Sequence, residues 1–326
     1  MIEILGDVHA GKKFLNDVPL HRRGERETEV LAVLKDKLVN LPEGTLAHVQ
    51  VGDLFDSFEV SNSVLLAVYD CYKMAAVANP YVKYFLYPGN HDRSRDADKV
   101  SSFEILQAML YYEDNIEFVT EVRGDRVGEL RIGFLPWDAF KTSDQLAQEL
   151  VDSYGQMKHK FDMVFCHCDT HSFGEGKDNL VPTKILSAIT SKVVTGHVHK
   201  PETFERDGVT VVGTGSMQPY AHGEEVTPTR YLTVSLDELS TLSDYKDKYI
   251  RLQLREGEVA PSTIPDCMGF KVTHKKTVEE EVQNLEVEFQ EFNTRSLFLG
   301  CLREVNVQPL TMEKVMEKFD AAETGT

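Results

Sequence analysis

Five short apolar runs in the first 200 residues each end in side chains that can bind a metal ion. They end at Gly6-Asp7-Val8-His9, Gly52-Asp53-Leu54-Phe55-Asp56, Gly89-Asn90-His91-Asp92, Phe165-Cys166-His167 and Gly196-His197-Val198-His199. Short apolar runs bounded by turn residues are typical of buried β-strands. The chain is therefore expected to fold around a sheet-based core that carries polar side chains at its strand ends.

Helical patterns separate the first three of these runs. Segment 27–39 has apolar residues at helical spacing before Pro42-Glu43-Gly44, and Ser61-Asn62 can cap a second helix that stops at Asn79-Pro80. The order strand, helix, strand, helix, strand has connections long enough for parallel crossovers. Because ligands gather at the carboxyl ends of parallel strands, the motifs are expected to converge in space.

The rest of the chain predicts further strands and a small module. Strand-like runs occur at 130–137, 209–212 and 230–234, and a polar helical segment occurs around 143–154. A composition change near residue 240 predicts one domain at 1–240 and a small α+β module at 241–326. Within the module we predict β-like runs at 249–254 and 270–273, charged helices at 278–292 and 312–319, and a frayed end at 321–326.

Composition fits an ordinary globular protein with a strongly acidic balance. Of the 326 residues, 41% are hydrophobic and 27% charged. No run approaches the roughly 18 apolar residues of a membrane span, the first motif leaves no room for a signal peptide, and five cysteines do not resemble a disulfide framework. These features predict a cytoplasmic setting.

The net charge of −18 argues against DNA binding through a general basic surface. Three explanations remain open for a chain that acts on phosphates: a small substrate, attraction by a metal and a few basic loops, or a partner that supplies the DNA contacts. An acidic surface that only maintains solubility is compatible with all three.

The polar side chains fit a site for two divalent cations, which can clamp the attacking and leaving oxygens of a phosphoryl displacement. Asp7 and His9 can reach one cation together if the backbone bends, which Gly6 permits, and Asp53 is the natural bridge. The other ligand atoms come from Asn90, His167, His197 and His199. Imidazoles suit Mn, Fe, Zn or Ni, and a loaded site would be positive enough to attract a phosphodiester.

Four further residues carry open interpretations. His91 can donate to the phosphate or protonate the leaving oxygen, with Asp92 holding its tautomer. Asp56 is either a partner of a ligating histidine or a helix N-cap. His171 is a rival to His167, whereas the flanking Cys166 and Cys168 would face away from His167 on a strand.

The five motifs together resemble the calcineurin-like metallophosphoesterase superfamily over residues 4–199. The resemblance implies an α/β sandwich of two central mixed sheets flanked by helices, and hydrolysis of a phosphate ester with His91 as the catalytic histidine. It implies one metal held by Asp7, His9, Asp53 and His199 and a second held by Asp53, Asn90, His167 and His197.

A narrower resemblance is to SbcD-type nucleases, the counterparts of the meiotic-recombination-eleven repair nuclease. Segment 213–224, with Gly215-Ser216-Met217-Gln218-Pro219 and Gly223-Glu224, resembles the stretch after their last motif, and 22–29 resembles the approach to their first helix. It implies a Mn²⁺-dependent DNA exonuclease or endonuclease, with Mg²⁺ as the alternative ion. This nuclease would process DNA ends in recombination, repair or replication with an SMC-like coiled-coil ATPase. A compact bacteriophage or bacterial form, a homodimer and the absence of a membrane role are further expectations.

Departures from that pattern leave strand polarity and partner docking open, because Asp169-Thr170-His171 lacks the expected glycine ending and 246–326 is divergent. A small-molecule or cyclic-nucleotide phosphodiesterase, or a protein phosphatase of the same superfamily, is the alternative and predicts a closed pocket. A mainly structural protein that tethers DNA ends is a third reading. Predicted DNA contacts are Lys12, Lys13, Arg22, Arg23, Arg26, Arg93 and Arg95.

Overall fold

Residues 1–94, 96, 98–171 and 179–275 are described by the structure, which is a computed structural model. The strands are β1 (Ile2–Leu5), β2 (Ala47–Gln50), β3 (Lys83–Leu86), β4 (Ile116–Phe118), β5 (Arg123–Val127), β6 (Leu130–Leu135), β7 (Met163–His167), β8 (Lys192–Gly196), β9 (Glu202–Arg206), β10 (Val209–Gly213), β11 (Tyr231–Val234), β12 (Tyr249–Leu254) and β13 (Gly269–His274). The helices are α1 (Glu25–Val39), α2 (Asn62–Ala78), α3 (Ser102–Met109), α4 (Ser143–Tyr154), α5 (Thr183–Leu186) and α6 (Leu236–Thr241), with a 3-10 turn at Leu20–Arg22.

Two sheets form the centre of the fold. The first has the order β1-β2-β3-β4 and is parallel throughout. The second has the order β5-β6-β7-β8-β10-β9, with β5 and β9 antiparallel to their neighbours at its two edges. The predicted α/β sandwich is confirmed, although only the second of its two sheets is mixed. A third sheet has the order β11-β12-β13.

The sandwich follows from the alternation of side chains along each strand. Phe85 of β3 and Phe165 of β7 enter the cluster between the two sheets, where each ring also lies near Phe134. Tyr84 and Leu86 instead face α1 and α2, and Val164 and Cys166 face α4. Each sheet is therefore covered by helices on its outer face.

Capping boxes begin three of the described helices, α3, α4 and α6. Thr142 and Gln145 form a capping box at α4, as Ser101 and Glu104 do at α3. The predicted start of α2 at Ser61 is confirmed, but the Ser61 hydroxyl bonds Ser63 Oγ rather than a backbone N–H. The predicted strands at 130–137 and 209–212 correspond to β6 and β10.

The chain divides into two compact units. Met1–Leu252 and Pro261–Lys271 form one unit, and Gln253–Ala260 with the chain from Val272 onward belongs to another. The predicted β-like runs at 249–254 and 270–273 are β12 and β13. The predicted helices at 278–292 and 312–319 and the end at 321–326 lie outside the described residues, so the domain boundary at residue 240 stays a prediction. In the part of the chain that is described, no helix has the length and apolar character of a membrane span.

Candidate metal centre

The predicted ligands come together at the carboxyl ends of β1, β2, β3, β7 and β8. Three groups have ligand atoms within 4.8 Å of one another: Asp7 with His9 and His199, Asp53 with His167 and His197, and His9 with Asp56 and His91. The predicted amide ligand is also there, since Asn90 Oδ1 lies 2.8 Å from His197 Nδ1 and 3.1 Å from His167 Nε2.

Asp53 lies between the first two groups. Its Oδ2 atom is 3.9 Å from His9 Nε2 on one side and 3.3 Å from His167 Nε2 on the other. The first group closes through His199 Nε2, which is 2.9 Å from His9 Nε2 and 3.8 Å from Asp7 Oδ2. Asp53 therefore occupies the position expected of a bridging carboxylate.

The outward ring nitrogens of the four predicted histidine ligands each face an oxygen. His167 Nδ1 lies 2.9 Å from the Val51 carbonyl, His199 Nδ1 3.0 Å from Glu224 Oε1, His197 Nε2 3.1 Å from Asp169 Oδ1, and His9 Nδ1 3.5 Å from Asp56 Oδ1. The first three of these acceptors hold a proton on the outward nitrogen and leave a lone pair on the inward one.

This donor set fits divalent cations. Glu224 favours the tautomer of His199 that leaves a lone pair on its inward nitrogen, and this nitrogen lies 2.9 Å from His9 Nε2. His9 Nδ1 makes no hydrogen bond to the described residues, so its inward nitrogen is free to bind a cation as well. The inward nitrogens of His167 and His197 likewise face the acceptor oxygen of Asn90. Imidazole, carboxylate and amide oxygens in this combination suit the first-row divalent ions.

Burial of the two carboxylates supports the same conclusion. The pKa of Asp7 is raised to about 7, because burial and the neighbouring Asp53 outweigh the opposing effect of His167. Burial also raises the pKa of Asp53, but the charge and hydrogen bond of His167 outweigh this effect and hold the pKa below its ordinary value. Buried ionised carboxylates need compensating charge. In the chain alone this charge comes from His167, whose pKa is raised although burial opposes the shift, because Asp53 lies beside it. Bound cations would supply the charge instead and leave His167 neutral.

The backbone is strained at three of the predicted ligands. His9 has φ 47°, Asp53 φ 51° and His197 φ 78°, values in the left-handed region that non-glycine residues seldom adopt outside functional sites. The bend predicted at Gly6 thus lies at His9 itself. Gly6 is required for a different reason, because a Cβ there would lie 1.9 Å from the Gly215 carbonyl oxygen.

Close approach also explains the other glycines that precede ligands. A Cβ at Gly52 would lie 2.3 Å from His167 Nδ1, one at Gly89 would lie 2.2 Å from Asp53 Oδ1, and one at Gly196 would lie 2.4 Å from the Val51 carbonyl oxygen. The repeated glycine-before-ligand pattern therefore reflects strand ends that touch one another around the centre.

The role of His91 as proton donor stays a prediction, whereas the role predicted for Asp92 is wrong. His91 Nδ1 lies 2.7 Å from the Asp56 carbonyl oxygen, and that carbonyl, not Asp92, fixes the tautomer. The buried Asp92 carboxylate accepts from the backbone N–H groups of Leu54, Phe55 and Gly89. Asp92 therefore links the third motif to the second through hydrogen bonds to the backbone.

The interpretations left open for Asp56 and His171 can now be separated. Asp56 is not a helix cap, since α2 begins at Asn62; its Oδ1 lies 3.5 Å from His9 Nδ1 and 3.3 Å from Lys12 Nζ. His171 is exposed, stacks on Phe204 and lies 3.1 Å from Glu202, away from the ligand groups.

The structure argues against two of the predicted DNA contacts. Arg26 is only 1% exposed and donates to Gln218 Oε1 and the Pro219 carbonyl. Arg22 is buried as well and bonds Glu25 and the Lys246 carbonyl. These hydrogen bonds hold both guanidinium groups inside the protein, so both have structural roles.

The remaining predicted contacts keep some access to solvent. Lys13 and Arg23 are exposed, and Lys12 is 32% exposed beside Asp56. Arg93 is half-buried and donates to the Thr120 carbonyl. Arg95 lies outside the described residues.

Sequence reasoning missed the role of segment 213–224 as a support for the ligands. Met217 N–H donates to the Asp7 carbonyl, Ser216 N–H to the His199 carbonyl, and the Tyr220 hydroxyl to the Val8 carbonyl. Glu224 holds His199, as described above. The only sequence signal was the Gly223-Glu224 pair, which the resemblance singled out without a role; Asp169, which faces His197, had none.

Comparisons with known proteins agree with this geometry at the level of the family. A family model described as calcineurin-like phosphoesterase matches residues 2–201. No curated protein matches the chain. Among solved structures, the phosphopantetheinyl hydrolase PptH from Mycobacterium tuberculosis is similar at 13% identity and a TM-score of 0.40, over 67% of this chain and 93% of that one.

Proposed function

Because the chain belongs to the calcineurin-like phosphoesterase family, we propose that it is a Mn²⁺-dependent, two-metal DNA nuclease subunit that processes DNA ends. The family itself accounts for the coarser statement, that the chain is a metal-dependent phosphoesterase whose ligand groups lie at the strand ends. We propose in addition that the phosphate ester it hydrolyses is DNA.

The observation that carries this choice is the position of segment 213–224. This segment resembles the corresponding stretch of SbcD-type nucleases, and it contacts predicted ligands through Met217 and Glu224. A resemblance located in the wall of the metal centre bears on the reaction more directly than one on a distant surface.

Access to the centre also supports a polymeric substrate. The His197 and His199 side chains are each 26% exposed, and His91 is half-buried. One edge of the ligand cluster therefore reaches the surface, whereas a small-molecule phosphodiesterase was expected to have a closed pocket. The exposed cations Lys13 and Arg23 could hold phosphates of a strand at this edge.

The chain's residues suit an in-line displacement at phosphorus. Bound divalent cations would supply Lewis acidity toward the phosphate oxygens and lower the pKa of water. His91 Nδ1 keeps its proton because the Asp56 carbonyl can only accept. A second proton, on Nε2, would then pass to the leaving oxygen as its bond to phosphorus breaks.

The test is digestion of end-labelled duplex DNA by the purified chain with Mn²⁺. Wild type should release labelled nucleotides, and His91→Ala should lower the rate by about 10²–10⁴-fold while still binding Mn²⁺ by calorimetry. Asp53→Ala should lose both activity and Mn²⁺ binding. Wild type that hydrolyses a cyclic nucleotide but leaves every DNA end intact would show that the substrate is a small phosphodiester.

An SMC-like coiled-coil ATPase remains the proposed partner, with the chain after residue 275 as its binding segment. A deletion from residue 246 would remove Tyr249, Ile250 and Leu252, which are buried in the core. A deletion of 276–326 avoids this damage and should abolish co-purification with the ATPase while preserving Mn²⁺-dependent hydrolysis of bis(p-nitrophenyl) phosphate. Undiminished co-purification would locate the docking surface elsewhere.

A further inference from the structure

A pocket of about 250 Å³ lies beside the metal centre. It is lined by loop 12–18, residues 220–222 and residues of β11, β12 and β13. The Phe270 N–H donates to the Asp17 carbonyl and ties the loop to β13. Four cationic side chains line the pocket, namely Lys12, Lys13, Arg251 and Lys271, against the single acid Asp17. In a chain of net charge −18, this is a local reversal of sign.

Buried polar atoms in the pocket have no partner among the described residues. They are His222 Nδ1 and Arg251 Nε. Tyr231 and Tyr249 are only 6% and 7% exposed, and their rings stack at 4.6 Å. A buried polar group left unpaired costs about 1–3 kcal/mol, so the two unpaired groups beside these rings indicate a polar ligand.

The chemistry of the lining favours an anion that carries a planar ring. Burial and the nearby Arg251 together lower the pKa of His222 to about 4, as expected where positive groups lie close together. The aromatic walls formed by Tyr220, Tyr231 and Phe270 offer surfaces on which a base can stack. A nucleotide combines a phosphate with such a ring, and the small volume suits a single unit.

We propose that this pocket binds one nucleotide unit, with its phosphate on Lys13, Arg251 and Lys271 and its base against the aromatic walls, where His222 Nδ1 can bond the base edge. The unit is either a free nucleoside monophosphate or the terminal nucleotide of a strand. Tyr220 joins the pocket to the metal centre, because its ring lines the pocket and lies 5.8 Å from the His9 ring and 6.1 Å from the His199 ring. A strand end seated here would bring a nearby phosphodiester toward the metal ligands, and this last step rests on the proposed function.

The test is calorimetric titration of the full-length chain with dTMP in EDTA, so that the metal centre contributes no phosphate binding. Lys271→Ala should weaken dTMP binding about tenfold or more, and His222→Leu about twofold to tenfold. Lys37→Ala removes a lysine on α1 outside this pocket and should bind dTMP as wild type does. Circular dichroism would show that each variant is folded.

Matched ligands separate the two sources and the competing outcomes. A 5′-phosphorylated oligonucleotide that binds more tightly than dTMP would identify a strand-end site, and equal or weaker binding would identify a mononucleotide site. Inorganic phosphate that binds as well as dTMP, or dTMP binding that neither variant changes, would overturn the proposal. DNA cleavage without dTMP binding refutes the pocket alone, whereas dTMP binding without DNA cleavage refutes only the nuclease function.

Discussion

Glu224 holds a predicted metal ligand from outside the cluster. Its Oε1 lies 3.0 Å from His199 Nδ1, and its Oε2 accepts from the Tyr220 N–H. Partners of this kind orient a ligating imidazole, and their loss weakens metal binding about 10–100-fold. Glu224→Gln should therefore raise the Kd for Mn²⁺ by that factor, measured by calorimetry.

Glu225 provides the matched control for this substitution. Its carboxylate also accepts several hydrogen bonds, from Thr229, Arg230 and Tyr231, but it contacts no predicted ligand. Glu225→Gln should leave the Kd for Mn²⁺ unchanged even if it lowers Tm. Equal Mn²⁺ affinities for the two variants would contradict the orienting role of Glu224.

His48 makes the stability of the fold depend on pH. It is 2% exposed on β2, its Nδ1 has no partner among the described residues, and burial lowers its pKa to about 3. Between pH 6.5 and that value the unfolded chain binds a proton that the folded chain does not, so stability falls as pH falls. Between pH 7.5 and pH 5, the free energy of unfolding of wild type should fall by about 2 kcal/mol more than that of His48→Leu.

Urea denaturation in EDTA at the two pH values measures this difference without a contribution from bound metal. Val49→Ala on the same strand is the control, because it removes buried volume but no titratable group, and it should keep the wild-type pH dependence. A pH dependence of His48→Leu that runs parallel to wild type would show that His48 takes up its proton in the folded chain.

Individual ligands could be predicted from the sequence because each one ends an apolar run. The hydrogen-bond acceptors that orient the histidine rings could not be predicted. His167 is held by the carbonyl of Val51, and His91 by the carbonyl of Asp56, and a backbone carbonyl has no sequence signal. Asp92 was assigned to His91 because the two are adjacent, but adjacent side chains on a turn diverge, and Asp92 points to the second motif.

At the scale of elements, the loop after β3 packs closely against the second motif, residues 52–56, at Gly89. This glycine does not have a positive φ, so Gly89→Ala tests steric contact alone. The added Cβ would lie 2.2 Å from Asp53 Oδ1 and 2.4 Å from Asp53 N. Displacement of the bridging residue should weaken Mn²⁺ binding by about tenfold or more and slow bis(p-nitrophenyl) phosphate hydrolysis in parallel.

Gly213→Ala is the control for this change. Its Cβ would meet the Glu202 side chain at 3.3 Å, a tight contact with a movable side chain. Mn²⁺ binding, followed by calorimetry, should stay at the wild-type level in Gly213→Ala. Wild-type Mn²⁺ affinity in Gly89→Ala would show that the loop around Asp53 can yield without loss of the site.

The order of the elements was predictable, since alternating strand and helix patterns leave few topologies for a parallel sheet. The face-to-face packing of the two sheets came instead from the resemblance, because period-two patterns do not reveal which sheet covers which. The burial of Arg22 and Arg26 was also invisible: a basic run before a helix predicts a solvated loop, but here segment 213–224 folds over it and takes the donors of Arg26.

For the whole molecule, the net charge of −18 must be weighed against a centre built for cations. Mn²⁺ could associate loosely with the acidic surface as well as with the ligand groups. Only the second mode depends on Asp53, which faces both groups and is buried. The rise in Tm that Mn²⁺ causes therefore measures binding at the centre, if wild type is compared with an Asp53 variant.

Mn²⁺ at about 100 times its Kd should stabilise the wild-type chain by about 2.7 kcal/mol, which corresponds to a rise in Tm of roughly 4 °C for a chain of this length. EDTA should reverse the rise, and Asp53→Asn should show little of it, because the site then lacks its bridging charge. Differential scanning calorimetry at constant ionic strength measures both. An equal rise in Asp53→Asn would mean that Mn²⁺ binds the acidic surface instead of the centre at the strand ends.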